Sequence, residues 1–233
     1  AVTVMLVING WSVPTALLAA FAAGLVAGFV TGFLHTVLGI PDILAGILSQ
    51  IALYSINLNI MGMANQALSV DKYNLLVSLR EVQKSIVVSV IFAFVIICIL
   101  YWYFGTEQGC ALRATGCNPN MAKAQGINVD FMKILALALS NGLVALAGGL
   151  ITQYQGFADI NMGRGAIVIG LAAVIIGEVL GEALLAKHLN FMGRLIFVVI
   201  GGIIYYIVVG IVLWLKMPTN DLKLFTAIIV AIF

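Results

Sequence analysis

The chain has 233 residues, of which 63% are hydrophobic and 9% charged, and its formal net charge is +2. Soluble globular domains are about 45–50% apolar and about 25% charged, so this chain cannot clothe a core of its size for water. The solvent that fits is lipid, and the fold class expected is an all-α polytopic membrane protein. The small net charge offers no basic face to nucleic acid, and the apolar content excludes intrinsic disorder.

A transmembrane helix needs about 20 mostly apolar residues. In chain order the blocks meeting or approaching that length are 14–34, 41–60, 86–104, 134–153, 164–180, 194–215 and 222–233. At least seven spans are therefore expected. The blocks are long and rich in Ala, Leu and Ile, without the apolar/polar alternation of barrel strands. A short apolar stub ending near Ile8 precedes them; it has no basic n-region and so is not a signal peptide. Its reading is the tail of a longer N-terminus that includes a further membrane helix.

In the first block Ala16, Ala20, Gly24, Gly28 and Gly32 recur every four residues. One stripe of small side chains lets two backbones approach closely in lipid, inside the subunit or at a dimer seam. Gly148-Gly149, Gly177/Gly181 and Gly201-Gly202 are further candidate approach points. In the second block Gln50, Tyr54, Asn57 and Met61 share a helix face. Polar residues inside spans usually face protein or a water-filled path, so this stripe, with Asn141 of a later span, either lines a pathway or hydrogen-bonds between helices. Glu178 reads either as a functional carboxylate or as the end of a span near water.

Three polar interruptions are long enough to be loops: 61–85, 105–133 and 181–194. Lysine and arginine should mark the inner side, but the tally favours neither orientation once Arg164, Lys216 and Lys223 are included. His35 and His188 flank spans and read as interfacial polar residues. Cys98, Cys110 and Cys117 form neither a disulfide framework nor a metal motif. No GxxxxGK[ST] phosphate loop, GxSxG or HExxH occurs, so no catalytic residue, metal site or P-loop nucleotide site is expected.

The stretch 111–127 carries the most information. Asn118 is a good N-cap, Pro119 suits the first helical position, and Gly126 suits the left-handed residue that ends a helix. Gly116 is expected to end the preceding segment in the same way. The result is two short helices at a fixed angle outside the membrane, suited to docking a partner. The pattern Leu112-Arg113-Ala114-Thr115-Gly116, Asn118-Pro119, Met121-Ala122, Gly126-Ile127 resembles the coupling segment of permease subunits of bacterial ATP-binding cassette (ABC) importers. The branch is that of ribose and branched-chain amino acid permeases, and the match is nearest to tryptophan/tyrosine-type importers. Residues 38–48, 139–149 and 218–225 share the resemblance, which runs over nearly the whole chain.

That resemblance implies a type II-like ABC importer transmembrane domain, a single permease domain over 1–233, with another membrane helix before Ala1. It implies that 105–133 is cytoplasmic, that 61–85 and 154–163 are extracytoplasmic, and that Arg113, Ala114, Gly116, Asn118, Pro119, Met121, Ala122 and Gly126 couple to an ATPase. ATP and Mg would sit on that partner, and none would be bound by this chain. The other partners implied are an extracytoplasmic solute-binding lipoprotein, which could meet Phe157, Asp159, Asn161 and Arg164, and a second permease copy as a homodimer. The solute would be small and amino acid-like, with an aromatic body that Tyr54 beside Gln50 and Asn57 would suit. The rival readings are a secondary transporter or channel without an ATPase, and an intramembrane enzyme.

Overall fold

The computed structural model describes residues 1–69, 73, 75–163, 166–185 and 190–214. Asp71, Lys72, Arg164, Lys187, His188, Lys216, Lys223 and the blocks 218–225 and 222–233 lie outside the described residues. The elements in order are α1 (Val2–Ile8), α2 (Val13–Thr36), α3 (Asp42–Met61), β1 (Asn65–Ala67), α4 (Val82–Phe104), α5 (Glu107–Cys117), α6 (Pro119–Ala124), α7 (Val129–Gln155), β2 (Phe157–Asp159), α8 (Ala166–Leu185) and α9 (Phe191–Trp214). Six of the seven apolar blocks coincide with long helices. Among the described residues five helices, α2, α3, α4, α7 and α9, are long and apolar enough to cross a membrane.

The chain divides into two compact units, Ala1–Ile96 with Trp102–Met162, and Ile97–Tyr101 with Gly163–Phe233. The first is organised on the pair α2 and α7. Ala16, Ala20, Gly24, Gly28 and Gly32 are all buried, and the three glycines meet α7 in antiparallel order. A β-carbon on Gly24 would lie 2.6 Å from that of Ala145, one on Gly28 would lie 2.7 Å from the Ala138 Cα, and one on Gly32 would lie 2.8 Å from the Ile134 Cα. The stripe is therefore spent within the subunit, and the dimer-seam reading of it is set aside. Gly149 is used likewise, against Leu17 and Thr3, whereas Gly148 faces open space.

The expectation of an all-α fold needs one correction. α3 ends on Gly62 and α7 on Gly156, both left-handed (φ 70° and 75°), where glycine has no Cβ penalty. Beyond them β1 and β2 pair antiparallel, with Asn65 opposite Asp159, Gln66 opposite Ala158 and Ala67 opposite Phe157. Strands of three residues leave no readable alternation, and their partner lies some ninety positions away in sequence, so only the fold brings them together. The ribbon joins the loops 61–85 and 154–163 at one end of the unit. Beneath it the core gathers Val4, Val7, Val13, Ala16, Leu17, Met61, Leu68 and Ala158. Gln153 is fully buried there, and its Oε1 accepts the Leu76 amide at 3.2 Å, pinning the segment after the ribbon.

α2 also meets α3. Thr31 Oγ1 donates to Ser49 Oγ at 2.8 Å, and Ser49 returns its proton to Ala45 O at 2.9 Å. In contrast α4 presents a nearly continuous apolar surface, with Ser85 its one buried residue. That is the appearance of a helix clothed by lipid.

In the second unit α8 and α9 form an antiparallel pair with Ala172, Ile176 and Tyr205 buried. Gly177 and Gly201 make the crossing: a β-carbon on Gly201 would stand 2.9 Å from the Gly177 Cα. Gly202 makes only an ordinary 3.8 Å contact with Ala173. Gly177, Glu178, Glu182, Arg194 and Phe197 line a cleft between the two helices, and Glu178 is exposed there.

Candidate functional site

The segment between α4 and α7 is built from successive stop signals. Thr106 begins α5: its Oγ1 accepts the Gly109 amide at 3.3 Å and donates to Tyr103 O at 2.6 Å. Gly109 is buried against the last turn of α4, where any β-carbon would overlap the Tyr103 carbonyl and the Phe104 Cα. The α4–α5 corner thus admits glycine alone, so α5 leaves at a fixed angle.

Asn118 serves both short helices. Its amide donates to Ala114 O at 3.0 Å, closing α5, and its Oδ1 accepts the Met121 amide at 3.0 Å, opening α6. Pro119 follows at the first position of α6. Gly126 has φ 82°; its amide donates to Lys123 O and that of Ile127 to Ala122 O, both at 3.0 Å. This pair of bonds is a Schellman motif. Asn128 then caps α7, its Oδ1 accepting the Phe131 amide at 3.1 Å. The expectations for Asn118, Pro119 and Gly126 describe the local geometry correctly. That for Gly116 does not: it lies inside α5, is not among the positive-φ glycines, and the helix runs on to Cys117. Asn118 and Pro119 supply the break one residue later, so a left-handed glycine is unnecessary.

Exposure then separates the eight residues by role. Arg113, Ala114, Gly116, Asn118, Pro119, Met121 and Gly126 are exposed, with Met121 at 61%, whereas Ala122 is 3% exposed. Ala122 anchors α6 while the others form an open surface. An exposed methionine on a rigid corner offers an adaptable apolar contact.

The second set of residues is not one constellation. Gln50 and Tyr54 are exposed on α3, Asn57 is half-buried, and Met61 is buried in the core beneath the ribbon, so the stripe is open at Gln50 and Tyr54 and closed at its end. Asn141 lies on α7, and its Nδ2 donates to its own helix at Leu137 O, 2.9 Å away, beside the Gly24 crossing. α2 packs against both α3 and α7, and the structure does not gather Asn141 with the α3 stripe.

Three features went unread in the sequence. Gly109 gave no signal, because its need is set by α4. The Thr31–Ser49 bond joins two residues unremarkable in their own helices. His35 closes α2 with its ring in contact with Asp42 and Lys133; only the short spacing to Asp42 was visible.

The comparisons with known proteins bear on this arrangement as a whole. No solved structure matches the chain. An uncharacterized protein of Rickettsia prowazekii (strain Madrid E) is 34% identical over 108 residues, covering 46% of this chain and 38% of that protein. A tyrosine transport system permease protein of Clostridioides difficile (strain R20291) is 38% identical over 225 residues, which is 97% of this chain and 73% of that protein. The family model described as branched-chain amino acid transport system / permease component matches residues 1–233. With five apolar helices among the described residues, the chain is a multi-pass integral protein of the bacterial cytoplasmic membrane and a transport subunit rather than an enzyme. It belongs to the branched-chain amino acid transport system permease component family.

Proposed function

We propose that this chain is the permease subunit of an ABC importer and moves a small, aromatic amino acid-like solute by alternating access. The observation that carries the reading is the α5–α6 corner: a surface held by Gly109, Asn118, Pro119 and Gly126 and presenting Arg113 and Met121 outward. A rigid corner transmits displacement, which a flexible loop would absorb. A separate ATPase, holding ATP and Mg, docks on 105–133 from the cytosol and moves α5 and α6. Their motion passes to α7 and, through the glycine seam, to α2. The loops 61–85 and 154–163 then face outward to a solute-binding lipoprotein, and two permease copies enclose the path, each with at least seven spans.

The α3 stripe of Gln50, Tyr54 and Asn57 is the part of this chain assigned to the path. An exposed ring beside two amides suits a solute with an aromatic body and polar ends. The tyrosine transport permease relative favours the same class. A secondary transporter without an ATPase predicts instead uptake by the purified permease alone under an ion gradient.

The test is Gly126→Val in the assembled transporter. A β-branched residue at a left-handed position costs roughly 1 kcal/mol or more and distorts the Schellman turn. Membrane insertion should be unchanged, while solute uptake falls and ATP hydrolysis no longer responds to loaded binding protein. Unchanged uptake and stimulation would remove the coupling assignment.

A further inference from the structure

The ribbon of β1 and β2 has one open edge. The Leu68 amide donates to Gly156 O at 2.8 Å and the Ile160 amide to Ala64 O at 3.0 Å, so the pairs 64/160 and 68/156 turn their polar groups toward each other. In an antiparallel ladder such pairs alternate with pairs whose N–H and C=O groups point away from each other. The register therefore turns the backbone groups of Asn65 and Ala67 outward from β1, and those of Phe157 and Asp159 outward from β2. The β2 edge is engaged by its own turn: Asp159 O accepts the Met162 amide at 3.2 Å, and Asp159 Oδ1 accepts the Asn161 amide at 2.6 Å. On β1, Asn65 and Ala67 are exposed. Among the described residues their outward N–H and C=O groups have no protein partner.

Natural sheets guard an open edge with lysine, proline or a bulge. Positions 61–70 contain no charged residue and no proline, and the register runs through β1 without a bulge. The edge is also self-complementary. Two copies of β1 related by a two-fold axis meet through the same surface and run antiparallel. With the axis beside Gln66, Asn65 of one copy exchanges both ladder bonds with Ala67 of the other, and Ala67 with Asn65. No like charges meet across that axis. The position is suitable as well: α3, which carries the stripe assigned to the path, ends at Met61, and β1 follows the left-handed turn at Gly62.

We infer that the β1 edge is an interface between two copies of this chain, which joins their ribbons into one continuous sheet across the two-fold axis. Main-chain bonds supply the attachment, as in other strand additions, and the sheet lies at the outward end of the path. The inference rests on the reading of the chain as a permease that works in two copies.

The experiment uses the full transporter in native membranes, with Cys98, Cys110 and Cys117 replaced by serine and Gln66→Cys introduced. On the axis position 66 faces its own copy in a non-hydrogen-bonded pair, whose Cα atoms stand about 4.5 Å apart, within the reach of a disulfide. Oxygen with a copper–phenanthroline catalyst should convert most of the chain to a species of twice the permease mass, reversed by a thiol reductant. Met63→Cys is exposed but off the axis, and should give several-fold less of it. Adding Ala67→Pro to Gln66→Cys removes an outward N–H that the ladder to β2 does not use, and should cut the linked species several-fold. Formation of the Asn65→Cys/Asp159→Cys disulfide in the Ala67→Pro background checks that the ribbon itself is intact. A Gln66→Cys chain that stays unlinked under oxidant would overturn the inference, and so would equal yields from Met63→Cys or an undiminished yield with Ala67→Pro. Shielding of Gln66→Cys from maleimide only when the binding protein is added would give the edge to that partner and overturn the inference too. If Gln66→Cys does not accumulate in the membrane, Asn65→Cys with Ala67→Cys, paired across the same axis, replaces it with the same outcomes. The native mass of the unlinked, purified transporter separates the two readings: one permease copy removes the two-copy reading and the inference with it, whereas two copies without the link sink the inference only.

Discussion

Gly28 of α2 rests on the backbone of α7 so closely that a β-carbon at position 28 would stand 2.7 Å from the Ala138 Cα. Backbone cannot rotate aside as a side chain can, so a larger residue must part the two helices. Gly28→Leu is expected to lower the stability of the detergent-purified protein by about 1–3 kcal/mol or more. Gly148→Ala, one face round α7 with open space before it, should be neutral or stabilising by up to about 1 kcal/mol, because alanine is the better helix former. Thermal unfolding of the two variants measures both, and equal shifts would contradict the assigned seam.

The membrane class and six helices were legible because each rests on a local signal, a long apolar run. The stripe from Ala16 to Gly32 was legible as a close-packing face, since its four-residue period survives in the sequence. Its partner was not, because nothing in positions 134–145 marks α7 as the helix it meets. The caps at Asn118 and Gly126 were read correctly from residue type alone. Gly116 was misread because a glycine flags permission for a left-handed turn, and tertiary context decides whether it is used. The ribbon, the Gly109 corner and the His35–Lys133 contact each join residues whose need for one another appears only after folding.

The ribbon yields a chemical prediction. Asn65 and Asp159 are direct partners across β1 and β2, within the Cα separation that disulfides accept. In a background lacking Cys98, Cys110 and Cys117, the double substitution Asn65→Cys/Asp159→Cys should oxidise to an intramolecular disulfide. Mass spectrometry of the linked peptides checks it; cysteines that stay reduced under oxidant would deny the register.

Sidedness can be read with thiols. Cys110 and Cys117 are exposed on α5, and the proposed topology turns α5 to the cytosol. A membrane-impermeant maleimide should modify them in inverted vesicles and spare them in intact cells. Asn65→Cys should show the opposite pattern. Labelling of all three from one side would refute the topology.

The solute assignment is tested by competition in cells carrying the whole system. Excess tyrosine and tryptophan should each suppress uptake of the transported solute, and at least one should bind the partner lipoprotein. Uptake indifferent to both would remove the aromatic class and leave the permease family untouched.

The account depends most on the claim that transport through this chain is driven by a docked ATPase. Proteoliposomes containing the permease, the co-purified ATPase and the binding protein should accumulate solute when ATP is supplied on the ATPase side. They should accumulate none when an ion gradient is supplied without ATP. Accumulation by the permease alone under an ion gradient, with no ATPase retained on purification, would contradict it.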